Sequence, residues 1–294
     1  MPRKKKSNNT FNKFFDKIFV INLFDKTKRW KTVEKQFKNR KIDIDRFIAV
    51  DGRCKNQGKK ACLEKLKSFE ISYNICIDPK AKNRFGDRMK ITEILPASSL
   101  TLGTLLLLRA QVKNGWKTML LCEDDIELTR DIDKKLKQGI KELGNKKWDL
   151  LYLGCGGFCG DNGLSWKKDE EHPYPSTFQT IYKGNKDYDF YVSHPNDLRD
   201  MCEDNRYCEH FSEHITKLNG GHHGGTWCYA WSLEGAKKML KVFEKNKNTV
   251  SVHIDQFNNE QVKNGTLSAY AFNPVIVHHE KMTQIRDSDI PWEW

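Results

Sequence analysis

At 294 residues the chain is long enough to bury a sizeable core, as one large α/β domain or two small ones. Its 38% hydrophobic and 11% aromatic content fits a packed globular protein. The net charge of +12, from 51 Lys+Arg against 39 Asp+Glu, is mostly a Lys excess spread along the chain. With no Arg-rich block and no nucleic-acid-binding signature, no nucleic-acid partner is expected.

Residues 1–12 read as a disordered basic tail, and residues 13–294 as a single domain. No apolar stretch follows the basic start, and the apolar run around Leu105–Leu108 is far shorter than the ~20 residues of a membrane span. No transmembrane segment is expected, and the expected location is cytoplasmic (host cytoplasm for a viral source). Nine dispersed Cys, several in apolar runs (Cys122, Cys155, Cys228), predict reduced thiols rather than a disulfide framework.

Lys17–Leu23 reads as a buried strand, and 27–39 as a helix with Trp30, Val33 and Phe37 on one face. Phe47–Val50 is a second strand that stops at the turn Asp51-Gly52. Residues 53–95 are polar and irregular, with one helix near 59–68. A helix over 98–114 ends at Asn114-Gly115, and the strand Met119–Cys122 runs into Glu123-Asp124-Asp125. A helix over about 131–143 and the strand Asp149–Leu153 follow. Residues 154–225 show little periodicity, and a stretch that long is more often functional than decorative. Then come a strand (Thr226–Ser232), helices over 233–246 and 255–263, and a last strand (Val275–Val277). Alternating strands and helices predict an α/β fold with a mostly parallel central sheet flanked by helices. In such sheets ligands gather at the carboxyl ends of strands, which puts Asn22, Asp51 and Glu123–Asp125 on one rim.

Glu123-Asp124-Asp125 carries the strongest chemical signal. Three adjacent carboxylates repel one another unless a cation neutralises them. Hard ions such as Mn²⁺ or Mg²⁺ take oxygen ligands from one or two carboxylates plus substrate phosphates. The alternative is a solvated acidic turn at the start of a helix. Three further groups stand out. Cys202-x5-Cys208-x-His210-x3-His214 offers zinc ligands at an unusual spacing, with the two His expected on one helix face. Cys155-x3-Cys159 is a weaker pair of the same kind. Gly220–Gly225 carries two imidazoles on a flexible turn, a lid or a plain linker.

Four blocks, in order, resemble glycosyltransferase family 25, the lipooligosaccharide and collagen galactosyltransferase family. They are Val20-Ile21-Asn22-Leu23 with Lys28-Arg29; Arg46-Phe47-Ile48-Ala49-Val50-Asp51-Gly52; Leu120–Asp125; and Tyr229-Ala230-Trp231-Ser232 with Gly235-Ala236-Lys237-Lys238. Trp148–Gly154 also matches the family's entry into its variable loop. Where the family carries a Ser-His pair, this chain has Leu102-Gly103-Thr104-Leu105-Leu106-Leu107, and the 53–95 insert is long. The Lys- and Asn-rich composition suggests an A/T-rich genome, such as that of a large virus or a protist.

The resemblance implies a GT-A-type fold, a UDP-sugar donor, Mn²⁺ (or Mg²⁺) and inversion at the anomeric carbon. It implies a hexose, galactose or glucose, passed to a glycan or a hydroxylated protein. Carried onto this sequence, Asp125 is the direct metal ligand, and Glu123 or Asp124 holds the ribose or a second metal position. Asn22 and Arg29 meet the nucleotide, Arg29 because a planar guanidinium grips oxyanions. Asp51 and Gly52 line the uridine side. Asp255 is the candidate base, an acceptor-binding residue, or simply an N-cap. His278 completes the metal shell beside Asp125, or is only a rim residue. Two other functions use the same residues: a metal-dependent hydrolase or nuclease, and a silent sugar- or nucleotide-binding protein. The first lacks a second acidic cluster, and the second would be expected to have lost the acidic motif.

Overall fold

The computed structural model describes residues 9–54, 57–81, 88–155, 180–183, 187–190, 208–220, 225–250, 253–272 and 275–279. Its centre is an eight-stranded sheet. The strands are β1 (Lys17–Asn22), β2 (Asp45–Ile48), β4 (Thr118–Glu123), β6 (Leu150–Gly154), β9 (Cys208–His210), β10 (Ile215–Leu218), β11 (Cys228–Ser232) and β13 (Ala269–Phe272). Across the sheet they are ordered β2-β1-β4-β11-β6-β13-β10-β9. Pairing fixes direction: β2, β1, β4, β6, β13 and β9 point one way, and β11 and β10 the other. The expected mostly parallel α/β sheet is therefore what forms, with two reversed strands inserted.

Strands in the middle of such a sheet are covered on both faces, so they are apolar on both. Met119–Cys122 of β4 are all at most 1% exposed. Burying a side chain of that size stabilises by about 1.5–3 kcal/mol. Two groups of helices do the covering. One is α3 (Gly58–Tyr73), α4 (Ile91–Asn114), α6 (Leu233–Lys245) and α7 (Ile254–Lys263); the other brings α1 (Thr10–Phe14) onto α5 (Ile132–Leu143). By length and composition α4 could cross a bilayer, but most of its apolar surface is buried inside this domain. Its Thr104 hydroxyl meets the Tyr229 hydroxyl at 2.9 Å, and Gln111 Nε2 donates to the Trp231 carbonyl at 3.1 Å. These contacts make α4 the core helix.

Several expectations change. Residues 9–12 are not part of a disordered tail: Asn9 caps α1, Phe11 is fully buried, and Thr10 bonds to Asp133 of α5. Residues 1–8 lie outside the described residues. Helix α4 starts at Ile91 and carries Pro96 in its second turn, with Glu93 accepting from the Lys90 N–H at 2.8 Å to close its start. Strands β13, β9, β10 and β5 (Ile126–Leu128) were not predicted, and the last strand, expected at Val275–Val277, forms two residues later as β14 (Val277–His279) paired with β5. Two short pairs complete the structure: β3 (Cys76–Ile77) with β12 (Thr249–Val250), and β7 (Thr180–Lys183) with β8 (Asp187–Phe190). The reduced-thiol expectation fails at Cys54 and Cys62, which form a disulfide across a Cα separation of 5.6 Å, because the chain turns back on itself into α3. Cys155 is also disulfide-bonded. Cys122 and Cys228 are free thiols, 3.3 Å apart on neighbouring strands.

Candidate active site

Strands β1, β2 and β4 run parallel, so their carboxyl ends open on the same side. The cleft there is lined by Leu23 and Arg29, by Gly52 and Arg53, by Ser99 and Gly103 of α4, and by Glu123, Asp124 and Asp125. Of the predicted rim, Glu123, Asp124 and Asp125 line this opening, whereas Asn22 and Asp51 are not among its lining residues.

The acidic motif is held from three directions. Asp124, 8% exposed, accepts from Asn22 Nδ2 and from Arg29 Nη1 at 3.2 Å. The same Arg29 nitrogen lies 3.4 Å from Asp125. Burial raises the Asp124 pKa and the neighbouring Asp125 charge raises it further; Asn22 and Arg29 pull the other way. Arg29 therefore faces the carboxylates, where it was expected to face a nucleotide, and helix α2 (Thr27–Asn39) brings it there. The Glu123 N–H donates to the Trp227 carbonyl at 2.8 Å, fixing the strand end. Beyond the motif, Gln36 of α2 bonds both ways to β5, to the Ile126 carbonyl at 2.8 Å and from the Leu128 N–H at 3.0 Å. The turn is pinned on both sides.

The other rim belongs to the loop after β2. The Asp51 carboxylate accepts from Arg53, which also grips Asp25 through two nitrogens at 2.8 and 2.9 Å. Hydrogen bonds donated by Arg53, first to Asp51 and then to Asp25, raise the Arg53 pKa, and Arg53 lowers that of both partners. Asp51 so turns toward Arg53, while Gly52 and Arg53 line the cleft. Gly52 is required by packing: a Cβ there would lie 2.2 Å from Ser99 Oγ and 2.4 Å from the Leu95 carbonyl oxygen. Arg53 and Arg46 were not singled out from the sequence. A basic residue adjoining a strand-end Asp was the one available signal for Arg53.

Asp255 is not the N-cap, because α7 starts one residue earlier, after His253. Its carboxylate accepts from the Gly225 N–H at 3.0 Å and the Gln256 N–H at 2.8 Å. Gly225 leads into Trp227, so Asp255 is tied to the segment that anchors Glu123. Tyr229 lies between them: burial first, then the charges of Glu123 and Asp255, push its hydroxyl pKa up. Tyr152, which takes a bond from Asn258 Nδ2 at 3.3 Å, is raised by burial and also feels Asp255. Asp255 does not line the cleft itself.

His278 is buried on β14, opposite Glu127. Among the described residues, the group of three potential metal ligands whose atoms lie within 4.8 Å of one another is Glu142, Glu213 and His214, not Glu123, Asp125 and His278. Yet Glu142 already accepts from Gln138, His214 Nδ1, Ser212 and the His214 N–H, at 2.7–2.9 Å. All its lone-pair directions are used, so this group is a clasp between α5 and the turn before β10. Burial pushes the Glu142 pKa up, but the bonds from Ser212, Gln138 and His214 outweigh it and bring it down to about 2. Cys208–His210 is a strand, so His210 and His214 do not share the expected helix face, and Cys202 of the same candidate group lies outside the described residues. Cys159 and residues 221–224 lie outside them too.

The donor set at the cleft is chemically apt for a hard cation. It is all carboxylate oxygen, partly buried, and a guanidinium already sits across two of its members.

Two solved structures align over most of the chain. A UDP-glucose pyrophosphorylase mutant from Leishmania major, in complex with UDP-glucose, is 11% identical, covers 88% of this chain and 58% of its own, and has a TM-score of 0.29. A mannose-1-phosphate geranyltransferase from Thermus thermophilus is 12% identical, covers 84% of this chain and 64% of its own, with a TM-score of 0.28. The chain spans less than two thirds of either, a likeness too slight to bear on function. A search of curated proteins finds no match. The model of glycosyltransferase family 25, described as an LPS biosynthesis protein family, matches residues 15–258, from β1 through Asp255. With most of its length matched, and with every strand that builds the cleft inside the match, the chain belongs to glycosyltransferase family 25.

Proposed function

We propose that this family 25 glycosyltransferase moves a hexose, galactose or glucose, from a UDP-sugar to a hydroxyl acceptor on a glycan or a hydroxylated protein, with inversion. The observation that carries this reading is the carboxylate pair of buried Asp124 and partly buried Asp125, braced by Asn22 and Arg29 at the mouth of the cleft. In this reading the cleft takes the donor in a GT-A-type manner, and Gly52 with its neighbours meets the nucleoside.

Asp125 and Glu123 would hold a Mn²⁺ or Mg²⁺ ion, with His278 as a further candidate ligand. When bound, the ion neutralises charge on the departing diphosphate. Arg29 bridges Asp124 and Asp125 and holds both in place. Asp255 takes the proton of the acceptor hydroxyl as that oxygen attacks the anomeric carbon and the bond to the diphosphate breaks. Its two backbone hydrogen bonds fix the position of the carboxylate.

The test is calorimetric titration of the purified protein with UDP, with and without Mn²⁺. Micromolar binding that needs the metal is the expected result, with activity silenced by chelator and restored by Mn²⁺. A folded protein that binds no UDP under either condition would overturn the donor assignment.

A further inference from the structure

We propose that Arg46 is a positioning residue of this site, acting on Asp124 through the side chain of Asn22. The inference rests on the donor-site reading above for its function, and on geometry alone for its existence.

A guanidinium only donates, so whatever oxygen it meets is fixed as an acceptor. Arg46 places Nε 2.8 Å from Asn22 Oδ1, and its Nη2 meets the same oxygen. The carboxamide oxygen of Asn22 is therefore locked toward β2. Its NH₂ must then point the other way, where it donates to Asp124 and to the Lys26 carbonyl at 3.1 Å. Asn22 is 1% exposed, so water is not available to replace a lost partner. The flipped amide would put NH₂ against the guanidinium and oxygen against the carboxylate, two repulsive contacts in place of two attractive ones.

Arg46 is itself held. Its Nη2 reaches the carbonyls of Leu23 and Phe24 at 3.2 and 3.1 Å, and the guanidinium lies 5.4 Å from the centroid of the Trp30 ring. It stands on β2 beside Val20, and it is not among the residues lining the cleft. A cation at one end of the amide polarises it and strengthens its donor end, so the grip on Asp124 depends on a residue that does not touch a ligand. A lysine supplies a point charge but not the fork that engages Oδ1 and two carbonyls together.

The experiment compares Arg46→Met, Arg46→Lys, Asn22→Leu and the double variant Arg46→Met/Asn22→Leu by Mn²⁺-dependent UDP titration and by thermal unfolding. Arg46→Met is expected to weaken metal-dependent UDP binding about 10- to 100-fold, the range typical for partners just outside a metal's ligands, since Asp124 is tied through Arg29 to Asp125. Arg46→Lys is expected to recover part of the loss, and the double variant to bind no worse than Asn22→Leu. An Arg46→Met protein that binds as the wild type does, or losses that simply add in the double variant, would overturn the proposal. If the wild type binds no UDP, the donor reading fails, and the cycle in unfolding free energy decides this inference. Coupling between positions 46 and 22 then supports the lock, and additivity removes it. If Arg46→Met does not fold, Arg46→Lys carries the comparison: it is expected to fold and bind more weakly, and unchanged binding refutes the role of the fork.

Discussion

Replacing Gly52 with Ala tests whether the cleft rim depends on close packing against α4. The new methyl would sit 2.2 Å from Ser99 Oγ and 2.4 Å from the Leu95 carbonyl oxygen, well inside contact distance. Ser99 can turn away, but its hydroxyl already donates to that same carbonyl at 2.7 Å. The carbonyl belongs to the helix backbone and cannot move without disturbing α4. Overpacking of this kind costs about 1–3 kcal/mol. For a domain of this size that lowers the melting temperature by roughly 2–12 °C. The loop carrying Asp51 and Arg53 should also shift outward, weakening UDP binding. Differential scanning calorimetry and UDP titration read both effects. Adding Ser99→Ala should restore only part of the loss, because the Leu95 clash remains. A Gly52→Ala protein with unchanged melting temperature and affinity would refute the packing argument, as would full rescue by Ser99→Ala.

Asp255→Asn should keep the bond from the Gly225 N–H yet lose the basic carboxylate, so turnover should fall by about 10²- to 10⁴-fold with little change in UDP affinity. An equal loss in both would make Asp255 a structural residue. Glu142 has its pKa depressed from 4.5 to about 2 in the folded protein, so its stabilising effect is full above about pH 4.5 and is lost as pH falls toward 2. The melting-temperature gap between wild type and Glu142→Gln should therefore narrow between pH 7 and pH 3.5; a constant gap would show that the clasp does not depend on charge. Asp125→Ala should abolish metal-dependent UDP binding with little change in melting temperature, and an active Asp125→Ala protein would remove the metal role given to that residue.

Local sequence pattern determined the parts of this protein that local physics governs. Strands β1, β4 and β6 are apolar runs with abrupt polar ends, and α2, α5 and α6 carry one buried stripe each, so their places could be read directly. The acidic motif was legible because a buried strand ending in three carboxylates is costly without partners. Strand β13 was not, since Ala-Tyr-Ala-Phe is only four residues long, too short for its pattern to mark a strand, and it is set between β6 and β10 by the tertiary fold. Helix α4 begins at Ile91 rather than near residue 98, and it carries Pro96 in its second turn, where local preference opposes a helix and burial against the core holds it.

Tertiary structure alone decided the partners. Charge could show that Asp124 and Asp125 need a cation, but not that Arg29 from α2 lies across them. Nothing local reveals that Arg46 locks Asn22, because their hydrogen bonds join two neighbouring strands across 24 positions of sequence. The same is true of the Glu142 clasp with His214, which turned a candidate metal cluster into a saturated carboxylate. Sequence sets which groups must find partners, since burying a charge or a polar group is costly in any fold. Which partner each one finds depends on which segments the sheet brings side by side.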